Sequence, residues 1–173
     1  MALGAHIAVT SGSDDKLEAC RTLGADILVN YTDTDFVAAV NDGTAGAGAH
    51  VILDNMGAAY LERNIATLAE GGRLVVIGLQ GGWNSTVNLA RIMSKRASVH
   101  STCLRTRPSD GPGSKGQITQ DVITHVWPMI SESLVRPVVH AVVPIEHAPN
   151  AHRMLDEPGT IGKVLLSVAG NHN

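Results

Sequence analysis

Residues 48–78 read GAHVILDNMGAAYLERNIATLAEGGRLVVIG. Two short apolar runs, His50-Val51-Ile52-Leu53-Asp54 and Arg73-Leu74-Val75-Val76-Ile77-Gly78, bracket the stretch Tyr60 to Ala69, whose apolar residues recur at helical spacing. Short runs with few polar interruptions read as strands buried on both faces. That is the pattern of a parallel sheet, with the helix as its crossover. Gly71-Gly72 is expected to stop that helix before the second strand begins.

The alternation continues in both directions. Upstream, Ile7 to Thr10 reads as a strand ended by Ser11-Gly12-Ser13. A helix follows, with Ser13 as N-cap, Asp14 and Asp15 in its first turn and Gly24 after its last. Ile27 to Asn30 is a strand and Asp33 to Asn41 a helix. Downstream, Gln80 to Asn84 is a loop, Leu89 to Lys95 a short helix, and Ser98 to Leu104 a strand with alternating faces. Thr106 to Gly116, with two prolines and three glycines among TRPSDGPGSKG, is expected to be a mobile loop. Ile118 to Ser133 reads as one long amphipathic helix. Val138 to Val143 (strand), Glu146 to Asp156 (helix) and Lys163 to Val168 (strand) complete the chain. The expected class is α/β with a largely parallel sheet.

Composition bounds what such a chain does. The 173 residues carry a net charge of −3, with 17% charged and 44% hydrophobic residues. That balance gives no electrostatic case for nucleic acid or an anionic membrane as partner. No apolar run approaches the roughly 18 residues of a bilayer span, and the N-terminus lacks a signal peptide's basic and apolar regions. Two separated cysteines, Cys20 and Cys103, argue against a disulfide framework or a zinc cluster and for the reducing cytoplasm. Each reads as a structural residue. Aromatics, at 3%, are too few for a stacking platform. Of the eight histidines, His147 and His152 are five apart and do not share a helix face, and no H-E-x-x-H occurs, so no metal site is expected. G-x-S-x-G is absent as well.

A doubly wound dinucleotide sheet opens with a strand and a glycine-rich turn that holds the pyrophosphate. No G-x-G-x-x-G occurs here. The first strand runs instead into SGSDDK, a hydroxyl-rich turn with a lysine, suited to the end of the second strand where it would accept the 2′-phosphate of NADP. Ile7 to Thr10 therefore reads as the second strand of such a fold, and Met1 to Ala5 as the last turn of the preceding helix. A methyltransferase sheet would need a glycine-rich turn and an acid that are not found.

From here the blocks SGSDDKLEACRTLGADILVNY, VILDNMGAAYLERNIATLAEGGRLVVIGLQGG, NLARIMSKRASVHSTCLRTR and IGKVLL resemble the medium-chain dehydrogenase/reductase superfamily, within it the NADPH:quinone oxidoreductase (zeta-crystallin-like) branch. The resemblance spans nearly the whole chain but only the C-terminal half of a family member. It implies a Rossmann-like, doubly wound, mainly parallel sheet of order 3-2-1-4-5-6 lacking its usual first, central strand. It further implies a partial dinucleotide-binding domain over 1–137 and, over 138–173, a segment that resembles part of the catalytic (GroES-like) lobe. Removing one strand, at about 4.8 Å per strand, opens roughly 9.6 Å between two unpaired edges.

The resemblance also implies roles. Lys16, in the turn of Ser11, Gly12 and Ser13, pairs with the 2′-phosphate of NADPH, and Tyr31 lies on the same phosphate. Asp54, Asn55 and Gly57 form the turn that passes the nucleotide. Ile77, Gly78 and Leu79, then Leu104 and Arg105, approach the nicotinamide, with Arg107 beside them or on a solvated basic edge. Gly162 and Lys163 close over the cofactor. The expected activity is hydride transfer to a small-molecule quinone or enone, without zinc and with no protein acid or base identified as catalytic. The expected assembly is a homodimer through strand 98–104, whose edge would otherwise stay unpaired. The alternative is a non-catalytic dimeric remnant that binds NADPH weakly or not at all. A missing pyrophosphate cradle removes backbone hydrogen bonds to charged oxygens worth about 1.5–3 kcal/mol each.

Overall fold

The computed structural model describes residues 3–168. Contacts divide the chain into two units, Ala5–Thr119 and Gln120 onward together with residues up to Gly4.

The first unit begins with β1 (Ala8–Ser11), α1 (Asp14–Thr22) and β2 (Ile27–Asn30). β1 and β2 pair in parallel, Ala8 opposite Ile27 through Ser11 opposite Asn30. Then come α2 (Phe36–Gly43), β3 (Ala49–Asp54), a 3-10 turn at Gly57–Ala59, α3 (Leu61–Thr67), β4 (Leu68–Val76), α4 (Leu89–Lys95) and β5 (Ser98–Ser101). These strands form a second parallel sheet in the order β3-β4-β5. The two sheets fit the expected Rossmann-like order with its central strand lacking: β2 and β1 on one side, β3, β4 and β5 on the other. Among the described residues no strand pairs with the second edge of β1 or of β3. On β3, Val51 and Leu53 are 54% and 68% exposed, unusual for apolar residues of a parallel sheet.

The core of this unit forms where β4 crosses under α3 and α4. Ile65, Leu68 and Leu74 are buried together, with Ile52, Leu61, Val76, Val87, Ile92 and Ala97 packed around them. Lys95 reaches back from α4, and its ammonium donates to the carbonyls of Ala66 (2.6 Å) and Leu68. Those are oxygens that the end of α3 leaves without helical partners. Burial holds the Lys95 pKa below its ordinary value, with a smaller contribution from the neighbouring Arg91 charge. Phe36 of α2 stacks on Tyr60 (5.7 Å between centroids), and the Arg63 guanidinium lies 4.1 Å above Phe36 and 2.7 Å from the Asp35 carboxylate. This knot joins α2 to α3.

The second unit holds β6 (Val139–Pro144), a 3-10 turn at Ile145–His147, α7 (Ala148–Asp156) and β7 (Lys163–Ser167). β6 and β7 pair in parallel, and α7 packs on both. Two further helices, α5 (Lys115–His125) and α6 (Trp127–Ser131), precede β6.

Several elements differ from expectation. Met1 and Ala2 lie outside the described residues. Leu3 lies in a turn and Gly4 takes φ +69°. Ser13 does occupy the N-cap of α1, yet its side chain makes no capping bond. Gly71-Gly72 is not a helix stop: α3 ends at Thr67, and β4 already begins at Leu68. The pair lies in a bulge, where two steps along β3 (Ala49 to Val51) oppose five along β4 (Leu68 to Arg73). Gly71 supplies the φ of +68° this loop-out needs, and Gly72 has backbone oxygens too close for a side chain. The strand expected over 98–104 stops at Ser101. Thr102 N–H still donates to Val76 O (3.2 Å), but β4 ends there and offers no further partner. The helix expected over 118–133 breaks at Val126, because Pro128 has no N–H for the carbonyl one turn back. Finally, the loop 106–116 is hydrogen-bonded throughout. Arg107 donates to Gly113 O (2.7 Å) and Thr102 Oγ1 (3.2 Å), Lys115 N–H to Pro108 O (2.9 Å), and buried Ser114 Oγ accepts from Gln117 N–H (3.1 Å). Within it Gly111 and Gly113 take φ +92° and +69°.

Candidate functional site at the carboxyl ends of the strands

In parallel α/β sheets ligands bind beyond the carboxyl ends of the strands, where loops leave the sheet. The expected residues of the first unit gather there in three groups.

The first group lies past β1 and β2. Ser11, Gly12 and Ser13 form the turn into α1, and Lys16 sits half-buried in its first turn. Tyr31 follows β2, and its backbone N–H donates to Ser11 O (3.1 Å). Its phenol lies over Gly12: a methyl group there would meet the hydroxyl at 2.8 Å and the ring at 3.0 Å. Gly12 is thus the residue that lets Tyr31 close on the turn.

The second group lies past β3 and β4. Buried Asp54 ends β3 and spends both carboxylate oxygens on the following turn, accepting from Met56 N–H and Gly57 N–H at 2.9 Å each. Asp54 therefore shapes the turn, in which Asn55 is exposed and Gly57 is buried. Gly57 holds φ +74°. A side chain at Gly57 would strike Leu79, and one at Gly78 would strike the Asn55 backbone at 2.8 Å. Ile77 N–H donates to Asp54 O (2.7 Å) and Gln80 N–H to Asn55 O (3.1 Å). Asn55, Gly57, Ile77, Gly78 and Leu79 are brought together as one surface.

The third group surrounds an open concavity of about 530 Å³, lined by Ile77, Leu104 and Arg105 together with Thr102, Cys103, Arg107 and Ile118. The last of these, on α5, carries no signal in the sequence that sets it apart from any other apolar helix residue. Cys103 is exposed, and its thiol pKa is held below the usual range by the Thr106 N–H, then the Thr106 hydroxyl, the Arg105 N–H and the Arg105 charge.

Gly162 and Lys163 lie in the second unit, and the structure gives them a local role. Gly162 has φ +94° and packs on Val138, and Lys163 N–H donates to Val138 O (2.9 Å) as β7 starts. Both cysteines are free. No helix among the described residues is long and apolar enough to cross a membrane.

A family profile described as Zinc-binding dehydrogenase matches residues 1–114. A zinc-type alcohol dehydrogenase-like protein of Schizosaccharomyces pombe is 29% identical over 97% of this chain and 46% of its own length. A solved structure described as an NAD-dependent alcohol dehydrogenase is 34% identical, with a TM-score of 0.77, over 96% of this chain and 45% of the other. The Escherichia coli quinone oxidoreductase, solved in complex with NADPH, is 26% identical with a TM-score of 0.75, over 96% of this chain and 51% of the other. The chain thus spans about half the length of the relatives it matches. Among the described residues no three His, Cys, Asp or Glu side chains come together to hold a metal.

Proposed function

This chain belongs to the zinc-binding dehydrogenase family, and on that premise we propose that it is the cofactor-binding portion of an NADPH-dependent quinone or enone oxidoreductase of the zinc-independent type. The observation that carries the reading is the convergence of Tyr31 on Gly12 at one pair of strand ends, and of Asn55, Gly57 and Gly78 at the other. Both are close packings in which this chain's own atoms fill the space beside the glycines, and they hold these residues together at the carboxyl ends of the strands, where ligands of such sheets bind.

The bound cofactor supplies the hydride, and the protein's part is to hold and orient it. Lys16 and the Tyr31 hydroxyl bind the 2′-phosphate beside the turn of Ser11, Gly12 and Ser13. Asn55 and Gly57 support the nucleotide. The backbone of Ile77, Gly78 and Leu79, with Leu104 and Arg105 at the concavity, would hold the nicotinamide end. No side chain is assigned as acid or base. The substrate is a small quinone or enone, and free thiols fit a reducing compartment such as the cytoplasm. We further propose a homodimer through β5, the outer strand of its sheet, whose edge is otherwise unpaired. Sedimentation of wild type against Val99→Pro, which removes an N–H on the side of β5 away from β4, tests that contact: a monomeric wild type overturns it.

The test of the cofactor reading is calorimetry of the 173-residue chain with NADPH and NADH, repeated on Lys16→Ala and Tyr31→Phe. NADPH tighter than NADH, with the preference lost in both variants, is the expected result. Equal binding of the two overturns the NADPH assignment. Binding of neither, with the dimer intact, favours the non-catalytic remnant.

A further inference from the structure

Tyr31 sits between Asn30 and Thr32, whose hydrogen bonds hold the backbone on either side of it. Asn30, the last residue of β2, uses its whole side chain to do so. Its Nδ2 donates to Asp14 Oδ1 in the first turn of α1 (2.8 Å). Its Oδ1 accepts from both the N–H (3.1 Å) and the hydroxyl (2.7 Å) of Thr32. Its carbonyl accepts from Thr34 N–H (2.9 Å). The amide therefore bridges the start of α1, where Lys16 lies, to the turn that carries Tyr31. The phenol then closes over Gly12.

From this network we propose that Asn30 is a positioning residue for nucleotide selectivity: it sets the Tyr31 hydroxyl against the Ser11–Ser13 turn so that a 2′-phosphate finds it in place. The inference rests on the 2′-phosphate reading of that turn. Tyr31 is half-exposed, and the backbone on either side sets the direction in which its hydroxyl leaves the strand. A misplaced hydroxyl forfeits one hydrogen bond to a charged oxygen, about ten-fold in affinity or more. The remainder of the nucleotide, which never meets Tyr31, is unaffected.

The probes are adenosine 2′,5′-bisphosphate and adenosine 5′-monophosphate, which differ only in the 2′-phosphate, with binding read by calorimetry or NMR titration. Asn30→Ala is expected to weaken the bisphosphate about ten-fold while 5′-monophosphate binding stays within two-fold. A general loosening of the fold would move both. Tyr31→Phe should lower the same ratio, and adding Asn30→Ala to it should lower it no further, because both act through one hydroxyl. An unchanged ratio in Asn30→Ala, or a fully additive double variant, overturns the inference while leaving the 2′-phosphate reading intact. An unchanged ratio in Tyr31→Phe, or a wild type with no preference between the probes, overturns the reading and the inference with it. Thr32→Val, which removes only the 2.7 Å hydroxyl bond, decides the matter if Asn30→Ala does not fold: a reduced preference supports the inference and an unchanged one overturns it.

Discussion

Replacing Asp54 by Asn keeps the side chain's shape and removes its ability to accept two hydrogen bonds from the turn. Both oxygens are in use at 2.9 Å, to Met56 N–H and Gly57 N–H, and the residue is only 5% exposed. In the amide one oxygen still accepts, but the NH₂ must face the second backbone N–H, donor against donor. The loss is one bond to a charged acceptor plus an unsatisfied buried donor, together about 2–4 kcal/mol. Gly57, at φ +74°, cannot be re-aimed cheaply, since its neighbours are Leu79 and the carbonyls of Gly78 and Gly82. Urea unfolding followed by far-ultraviolet circular dichroism should therefore show the midpoint falling by about 1–2 M at an unchanged slope, taking about 2 kcal/mol per M for a chain of this size. A loss under about 1 kcal/mol would refute the reasoning, and would mean that the turn is held by its lacing to residues 79–82 rather than by the carboxylate.

Three further outcomes are expected. Gly48→Ala places a methyl 2.6 Å from Thr67 O and 3.0 Å from Ala69 N at a φ of +77°, so it should cost about 2–4 kcal/mol by the same unfolding measurement. Arg63→Met should raise the Asp35 pKa toward the ordinary aspartate value in an NMR titration, because the Arg63 hydrogen bond is the largest cause of its depression, with the Val37 N–H bond remaining. The sign follows: in the wild type this pair stabilises above the ordinary aspartate pKa, and the contribution is lost as pH falls through the lowered folded value. Cys103 should be alkylated by iodoacetamide with a pH midpoint below that of a free thiol; Thr106→Ala should raise the midpoint only in part, since the larger contribution comes from the Thr106 backbone N–H.

The sequence by itself determined the order and type of nearly every element in the first unit, because each strand is a short apolar run closed by polar or glycine residues and each helix is amphipathic. It also singled out Ser11 to Ser13 and Lys16, since a hydroxyl-rich turn with a lysine is a local pattern, whereas Tyr31 was indicated only by the family resemblance. Local patterns could not say that Asp54 would face its own turn, that Asn30 would bridge to Asp14, or that Arg107 would gather the loop 106–116, for each depends on which backbone groups folding brings within 3 Å. The limits of Gly71-Gly72 and Ser98–Ser101 were decided the same way. A bulge exists only relative to the partner strand it loops out from, and a strand ends where its neighbour stops offering carbonyls, whatever its own propensity. Periodicity is a property of one segment. Register, edges and the convergence of Tyr31 on Gly12 are properties of pairs of segments, and only the tertiary structure brings those pairs together.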